Sequence, residues 1–301
     1  AMGRKLLADP DIPNKISTGN TELIRPCIYC YICVSQIFIN QPMTCAVNAR
    51  LGKEYMNENI ICSTAQQKNI LIIGAGPSGM EAARLLGEQG HKVQIWDRDK
   101  DIGGTVRVAA LAYEPNGHLI DYLKNALDNL GISISLNTEA TLDNINTMAP
   151  DQVIIATGAK RTAPEIKGSH LSNVFDGEEM RGLLFGTDKQ AAKKLSGFSQ
   201  VMLVLGRWSQ ILRSISTLRA LSKLWMPIKD QVTIIGGDLV GLELAEFLIE
   251  RGRKICILEP SQTLGVNLSI VRRSRVIHLL KEHGCELVTN ATVEQITTAG
   301  V

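Results

Sequence analysis

The sequence predicts an α/β chain in which two parallel-sheet, nucleotide-binding folds follow a loop-rich, cysteine-bearing segment. Three observations carry this. A strand-like apolar run leading into a glycine-rich turn occurs twice, at Gly74–Gly79 and at Gly236–Gly241. Each turn is followed by an acidic residue at one fixed distance, since Gly74 to Asp97 and Gly236 to Glu259 are both 23 residues. Four of the seven cysteines, Cys27, Cys30, Cys33 and Cys45, crowd together ahead of the first turn.

Taken in order, residues 1–26 read as a short helix, a turn at Asp9-Pro10 and a second short helix. Residues 27–67 show little periodicity and are expected to be loop and linker. At 68–73 the run KNILII is continuously apolar, as in a parallel strand buried on both faces. The turn Gly74–Gly79 follows, then a helix over 80–89 and a strand over 92–96 that ends at Asp97. A helix over 119–130, a short strand near 132–136 and a strand over 152–156 complete a unit spanning 68–186. Residues 187–229 carry eight Lys/Arg against one acid, Asp188. Within them Ile211, Leu212, Ile215, Leu218, Leu221, Leu224 and Trp225 fall on one helical face. That insertion packs on its own or a neighbouring domain, or offers a basic amphipathic surface to a membrane or redox partner. A second nucleotide-binding unit over 230–301 has a strand at 231–235, a helix at 242–251 and a strand at 254–258.

The chemistry follows from the turns. In Gly74-x-Gly76-x-x-Gly79 the first glycine permits a tight turn, the second lets a pyrophosphate approach, and the third lets helix and strand pack closely. The helix N-terminus then faces phosphate, and Asp97 is placed to accept from a ribose. In the second turn Gly236, Gly237 and Gly241 are kept, but Asp238 stands at the middle-glycine position, where its bulk and charge crowd a pyrophosphate. Glu259 suits a free ribose 2′-hydroxyl, hence NADH over NADPH. The spacing Cys27-x2-Cys30-x2-Cys33-x11-Cys45 suits a [4Fe–4S] cluster. Structural zinc, which usually takes two separated cysteine pairs, is the alternative. Cys62, Cys256 and Cys285 read as ordinary thiols.

Composition narrows the classes. With 32 Lys+Arg against 30 Asp+Glu, the net charge of +2 gives no case for a nucleic-acid partner. No apolar run approaches the ~18–20 residues of a membrane span, and the first thirty residues lack a secretory pattern. Clustered thiols without that pattern point to a cytoplasmic protein. No catalytic triad or acid–base pair stands out, so no catalytic residue is expected.

These parts in this order resemble the old yellow enzyme-like multidomain flavoproteins, the group of 2,4-dienoyl-CoA reductase, trimethylamine dehydrogenase and histamine dehydrogenase. The match runs through Gly3–Pro10 (GRKLLADP), Ile24–Cys30, Cys45–Asn48, Ile73–Gly79, Asp97–Thr105 (DRDKDIGGT), Ile155–Gly158 and Leu242–Phe247. The resemblance implies two interleaved Rossmann-like dinucleotide-binding folds of the FAD/NAD(P)-binding disulfide-reductase type, preceded by a loop-rich iron–sulfur segment. It implies cluster ligands at Cys27, Cys30, Cys33 and Cys45. FAD contacts are implied at Ser78, Asp97, Thr105 and Ala140, with Gly104, Thr157 and Gly158 in the matching motifs. Electrons would pass from NADH to FAD, through the cluster, to FMN in a barrel that reduces an activated C=C bond. In amine-dehydrogenase-like members the first site holds ADP and electrons leave to a partner. A complete barrel takes about 250 residues, whereas only 26 precede Cys27. The expectation is a piece of a larger protein, with residues 1–26 as the remnant of the barrel's end. A non-catalytic remnant is the third reading.

Overall fold

The structure is a computed structural model that describes residues 2–56, 66–159, 162–185, 188–195, 197, 199–200 and 214–301. It divides into two units, Ala1–Ala110 with Glu114–Ala159, and Leu111–Tyr113 with Lys160–Val301.

The first unit opens with α1 (Gly3–Ala8) and α2 (Ile12–Ser17), the two short helices expected. Pro13 lies in the first turn of α2, where its missing N–H removes no helical bond. A third helix, α3 (Ile32–Phe38), lies inside the segment expected to be loop, which corrects that reading. It is only seven residues long and is entered from a left-handed Tyr31, so no periodicity announces it.

Four parallel strands follow in the order β3-β2-β1-β4, namely β1 (Asn69–Ile73), β2 (Lys92–Trp96), β3 (Ser133–Ser135) and β4 (Gln152–Ile155). Strand β1 is central and buries Ile70, Leu71 and Ile72, as its unbroken apolar run requires. Helix α4 (Pro77–Glu88) packs Met80 and Ala83 into that core. It starts at Pro77, three residues before the expected helix, because the glycine turn itself winds into the first helical turn. Helix α5 (Thr105–Ala112) is followed by α6 (Pro115–Asn129), which adds Tyr122, Leu123, Ala126 and Leu127. Each such large side chain contributes about 1.5–3 kcal/mol on burial. Helix α7 (Leu142–Met148) was not expected, because its capping box uses Asn144 with Thr141 rather than the usual Glu or Gln.

Arg25 ties the cysteine segment to this fold. Its backbone N–H donates to Asp9 (2.7 Å), and its guanidinium donates to the Tyr122 hydroxyl (3.3 Å) and to Asn48 (3.2 Å). Asn48 in turn donates to the Leu7 carbonyl at 2.9 Å.

The second unit contains α8 (Gly177–Leu184), α9 (Lys189–Lys193) and α10 (Ile215–Leu224). It continues with β5 (Gln231–Ile235), α11 (Leu239–Ile249), β6 (Lys254–Glu259), α12 (Ile270–Glu282) and β7 (Glu286–Thr289). The strands form one parallel sheet, β5-β6-β7. Its core gathers Leu242, Ala245, Leu248, Ile257, Val276 and Leu280. Of the expected basic insertion, Ile211, Leu212, Arg207 and Arg213 lie outside the described residues. Helix α10 buries Leu218, while Leu224 is 84% exposed. Arg251, at the end of the α11 segment, is buried and donates to the Phe247 carbonyl (2.6 Å) and to Ser222 of α10 (2.9 Å). Burial pushes its guanidinium down to about 10.

Candidate functional site

Both glycine turns sit at the carboxyl ends of parallel strands, where open α/β sheets bind ligands. In the first, a Cβ on Gly74 (φ +115°) would lie 2.3 Å from the Ala156 carbonyl oxygen. A Cβ on Gly79 would lie 2.0 Å from the Gly74 oxygen, so both glycines are demanded by the fold itself. Gly76 differs, because a Cβ there meets nothing within 4 Å. The open space above it is where a phosphate approaches the backbone. Ser78 is exposed on the first turn of α4, among N–H groups with no intrahelical partner.

Asp97 stands at the tip of β2. Its Oδ2 accepts the Ala75 N–H at 2.6 Å, and its Oδ1 accepts the Asp99 N–H at 2.8 Å. Two further backbone bonds, Asn137 N–H to Asp99 O (3.0 Å) and Thr138 N–H to Asp97 O (2.8 Å), draw the loop carrying Ala140 to this turn. Gly103 donates to the Ala75 carbonyl at 2.8 Å, and a Cβ on Gly104 would lie 3.3 Å from Gly76 Cα. That crossing brings Gly104 and the exposed Thr105 to the mouth of the turn. Ala156 and Thr157 follow the end of β4 and lie beside Gly74, with Gly158 next in the chain. Gly74, Gly76, Ser78, Gly79, Asp97, Gly104 and Thr105 thus gather at one end of the sheet, with Thr157 beside Gly74 and Ala140 two residues beyond the bonded Thr138.

The second turn repeats the frame. Glu259 at the end of β6 accepts the Gly237 N–H (2.7 Å) and the Ser261 N–H (2.9 Å). Burial alone would raise this carboxyl, but those bonds hold it below the usual carboxylate range. A Cβ on Gly241 would lie 1.9 Å from the Gly236 oxygen, matching Gly79. Gly265 donates to the Gly237 carbonyl at 2.8 Å, matching Gly103. Asp238 is the difference. Its Oδ1 accepts the Asn267 N–H at 2.9 Å, and its Oδ2 accepts the Asn267 side-chain amide. Sequence reasoning missed Asn267 and both crossing glycines. The signal was available, since Gly103 and Gly265, like Thr105 and Asn267, stand at the same repeat offset as the two turns.

Around the cysteines, Tyr29 (φ 52°) and Tyr31 (φ 61°) are both left-handed and flank Cys30. Such strained backbone concentrates at functional loops. The Arg4 guanidinium lies over the Tyr31 ring at 4.3 Å and the Tyr29 ring at 5.2 Å, and its Nη1 is buried without an acceptor among the described residues. Burial pushes the Cys30 and Cys33 thiols up, and the neighbouring cysteines of the set add to it. Among the described residues no three His, Cys, Asp or Glu side chains converge closely enough to hold a single metal ion. Cys256 and Cys285 lie apart in the second unit, and Cys62 is outside the described residues.

The model of one protein family, pyridine nucleotide-disulphide oxidoreductase, matches residues 68–301. The chain belongs to that family. Membership supports FAD and NAD(H) as the nucleotides of this pyridine nucleotide-disulphide oxidoreductase chain. It is similar to a metal reductase of Desulforamulus reducens, with 32% identity over 100% of this chain and 44% of the relative. It is also similar to an NADH oxidase of Thermoanaerobacter brockii, with 28% identity over 100% of this chain and 41% of the relative. Among solved structures, a 2-naphthoyl-CoA reductase in complex with 2-naphthoyl-CoA superposes with a TM-score of 0.80 at 31% identity. That match covers 99% of this chain and 39% of the reductase. The chain therefore spans about two-fifths of the length of the relatives it matches. The resemblance read from the sequence, to part of a larger old yellow enzyme-like oxidoreductase, holds. Among the described residues no helix is long and apolar enough to cross a membrane.

Proposed function

We propose that this chain is the electron-transfer part of an NADH-dependent flavin and iron–sulfur oxidoreductase. FAD occupies the first fold, NADH the second, and a [4Fe–4S] cluster the cysteine loop, on the way to an FMN barrel that reduces an activated C=C bond. The observation that carries the reading is the duplicated frame of turn, crossing glycine and strand-tip acid, set behind a segment with four closely spaced cysteines. When bound, the nucleotides exchange hydride and the cluster exchanges single electrons.

The chain's own residues bind and orient. Gly76 leaves room for a pyrophosphate against the α4 N-terminus, and Ser78 and Thr105 stand ready to donate to it. Asp97 and Glu259 each keep lone pairs for a ribose after accepting two backbone N–H groups. Cys27, Cys30, Cys33 and Cys45 are the thiolate donors. A lone tetrahedral zinc would hold its sulfurs about 3.8 Å apart, given Zn–S near 2.3 Å. The spacing Cys27-x2-Cys30-x2-Cys33-x11-Cys45 suits a cluster rather than the two separated cysteine pairs usual for structural zinc. Arg4, half-buried beside this loop, supplies positive charge to balance thiolates.

Anaerobic reconstitution with iron and sulfide tests the cluster. Four irons per chain and a broad absorption near 400 nm are expected, and Cys→Ser at any of the four positions should abolish both. Fewer than about two irons per chain in the unmutated protein rejects the assignment. A flavin spectrum bleached by NADH supports the whole reading. The chain by itself is expected to pass electrons to ferricyanide but not to an enone, because in this reading the FMN barrel is what holds the C=C bond ~3–3.5 Å from its hydride donor.

A further inference from the structure

We infer that the Asp238 carboxylate is a built-in occupant of the pyrophosphate position in the second fold, making Asp238, latched by Asn267, the residue that limits dinucleotide affinity there. The inference deepens the reading above and rests on NADH being the ligand of the second fold.

The two folds are frames of one design. Ala75 and Gly237 each donate to their strand-tip acid, at 2.6 and 2.7 Å, and each accepts from its crossing glycine at 2.8 Å. In this register Asp238 stands where Gly76 stands, and Asn267 where Thr105 stands. The contents of the two frames differ. In the first, Gly76 contributes no side chain, and no acceptor among the described residues meets the Thr105 N–H. In the second, the Asn267 N–H and side-chain amide are both taken by Asp238.

A carboxylate thus sits at the N-terminus of α11 (φ −95°, ψ −162°) and holds the Asn267 donors, whose counterpart in the first fold, the Thr105 N–H, is left open. Burial would raise this carboxyl, but the Asn267 donors hold it below the usual range, so it is charged. An arriving pyrophosphate brings negative charge to a helix end already neutralised, and must displace or repel Asp238 to reach the N–H groups. The backbone offers no reason for the substitution. Gly76 has φ −75° and ψ 175°, and Asp238 is similarly extended, so either residue fits either turn.

The test is NADH binding by calorimetry to the full chain with FAD in excess, so that the first fold is filled. Wild type is compared with Asp238→Gly and Asp238→Asn, each checked for an unchanged melting midpoint. Asp238→Gly should bind NADH at least tenfold more tightly than wild type, with Asp238→Asn between them because it keeps the bulk and loses the charge. Measurable but equal affinities in wild type and Asp238→Gly overturn the inference and leave the NADH reading standing. No binding by any of the three overturns both, since opening the position would then have opened nothing.

Discussion

Asp97 holds two backbone N–H groups before any ligand arrives, those of Ala75 and Asp99. Its substitution therefore removes a ribose acceptor and also frees a donor inside the turn. Asp97→Ala should weaken FAD or ADP binding by about 1.5–3 kcal/mol, the range for bonds to a charged group, read by calorimetry. Asp9 makes a parallel case for stability. Its side chain is 6% exposed and accepts from Lys15 Nζ and the Arg25 N–H, both at 2.7 Å, and from the Asp11 N–H at 3.1 Å. Burial would raise the Asp9 carboxyl, but Lys15 and the two N–H groups hold it below the usual range. Its folded pKa thus lies below the unfolded one. The stability it contributes is complete above the ordinary carboxylate range and is lost as pH falls through the lowered value. Asp9→Asn should cost about 2 kcal/mol at pH 7, since Lys15 is left partly buried with the Leu23 carbonyl but no counter-charge. The gap should close toward pH 2, as urea midpoints at the two pH values would read.

At the scale of the element, the strand–turn–helix units discriminate sharply among their own glycines. Gly79→Ala drives a methyl to within 2.0 Å of the Gly74 oxygen, whereas Gly76→Ala meets nothing. The first should lower stability by about 1–3 kcal/mol and abolish FAD binding with it. The second should leave the urea midpoint in place and lose only nucleotide affinity. Either substitution behaving like the other would mean the turn is misread. These units were legible in the sequence because a fully buried parallel strand, a glycine turn and a strand-tip acid each leave a composition of their own. Helices α3 and α7 were not, being seven residues apiece with no amphipathic repeat to detect. The elements after Glu259 were also unread, because α12 (IVRRSRVIHLLKE) buries only Val276 and Leu280 along a largely charged surface. The Asp238–Asn267 pair escaped notice for a different reason. A side chain that answers a backbone donor 29 residues away has no local signature.

For the molecule as a whole, the two units share one plan of parallel sheet and glycine turn, yet only the first carries an additional N-terminal segment fastened to it. The fastening centres on Arg25, bonded to Asp9, Asn48 and Tyr122 and stacked over the Tyr122 ring at 5.5 Å, and Asn125 of α6 adds a bond to the Glu22 carbonyl at 3.3 Å. Tyr122 belongs to the core of the first fold. The segment has little interior of its own, with Ala8, Ile12, Cys33 and Val47 its buried apolar residues among those described. Its order is therefore borrowed through Arg25, and the cysteine loop and the first nucleotide fold should open as one cooperative unit. Native-state hydrogen exchange would register this as a shared opening free energy for amides of α3 and β1. In Arg25→Ala the α3 amides should exchange freely while β1 stays protected, converting one opening event into two. A loop that can open only when the nucleotide fold opens keeps its four cysteines at one fixed spacing for as long as that fold is intact.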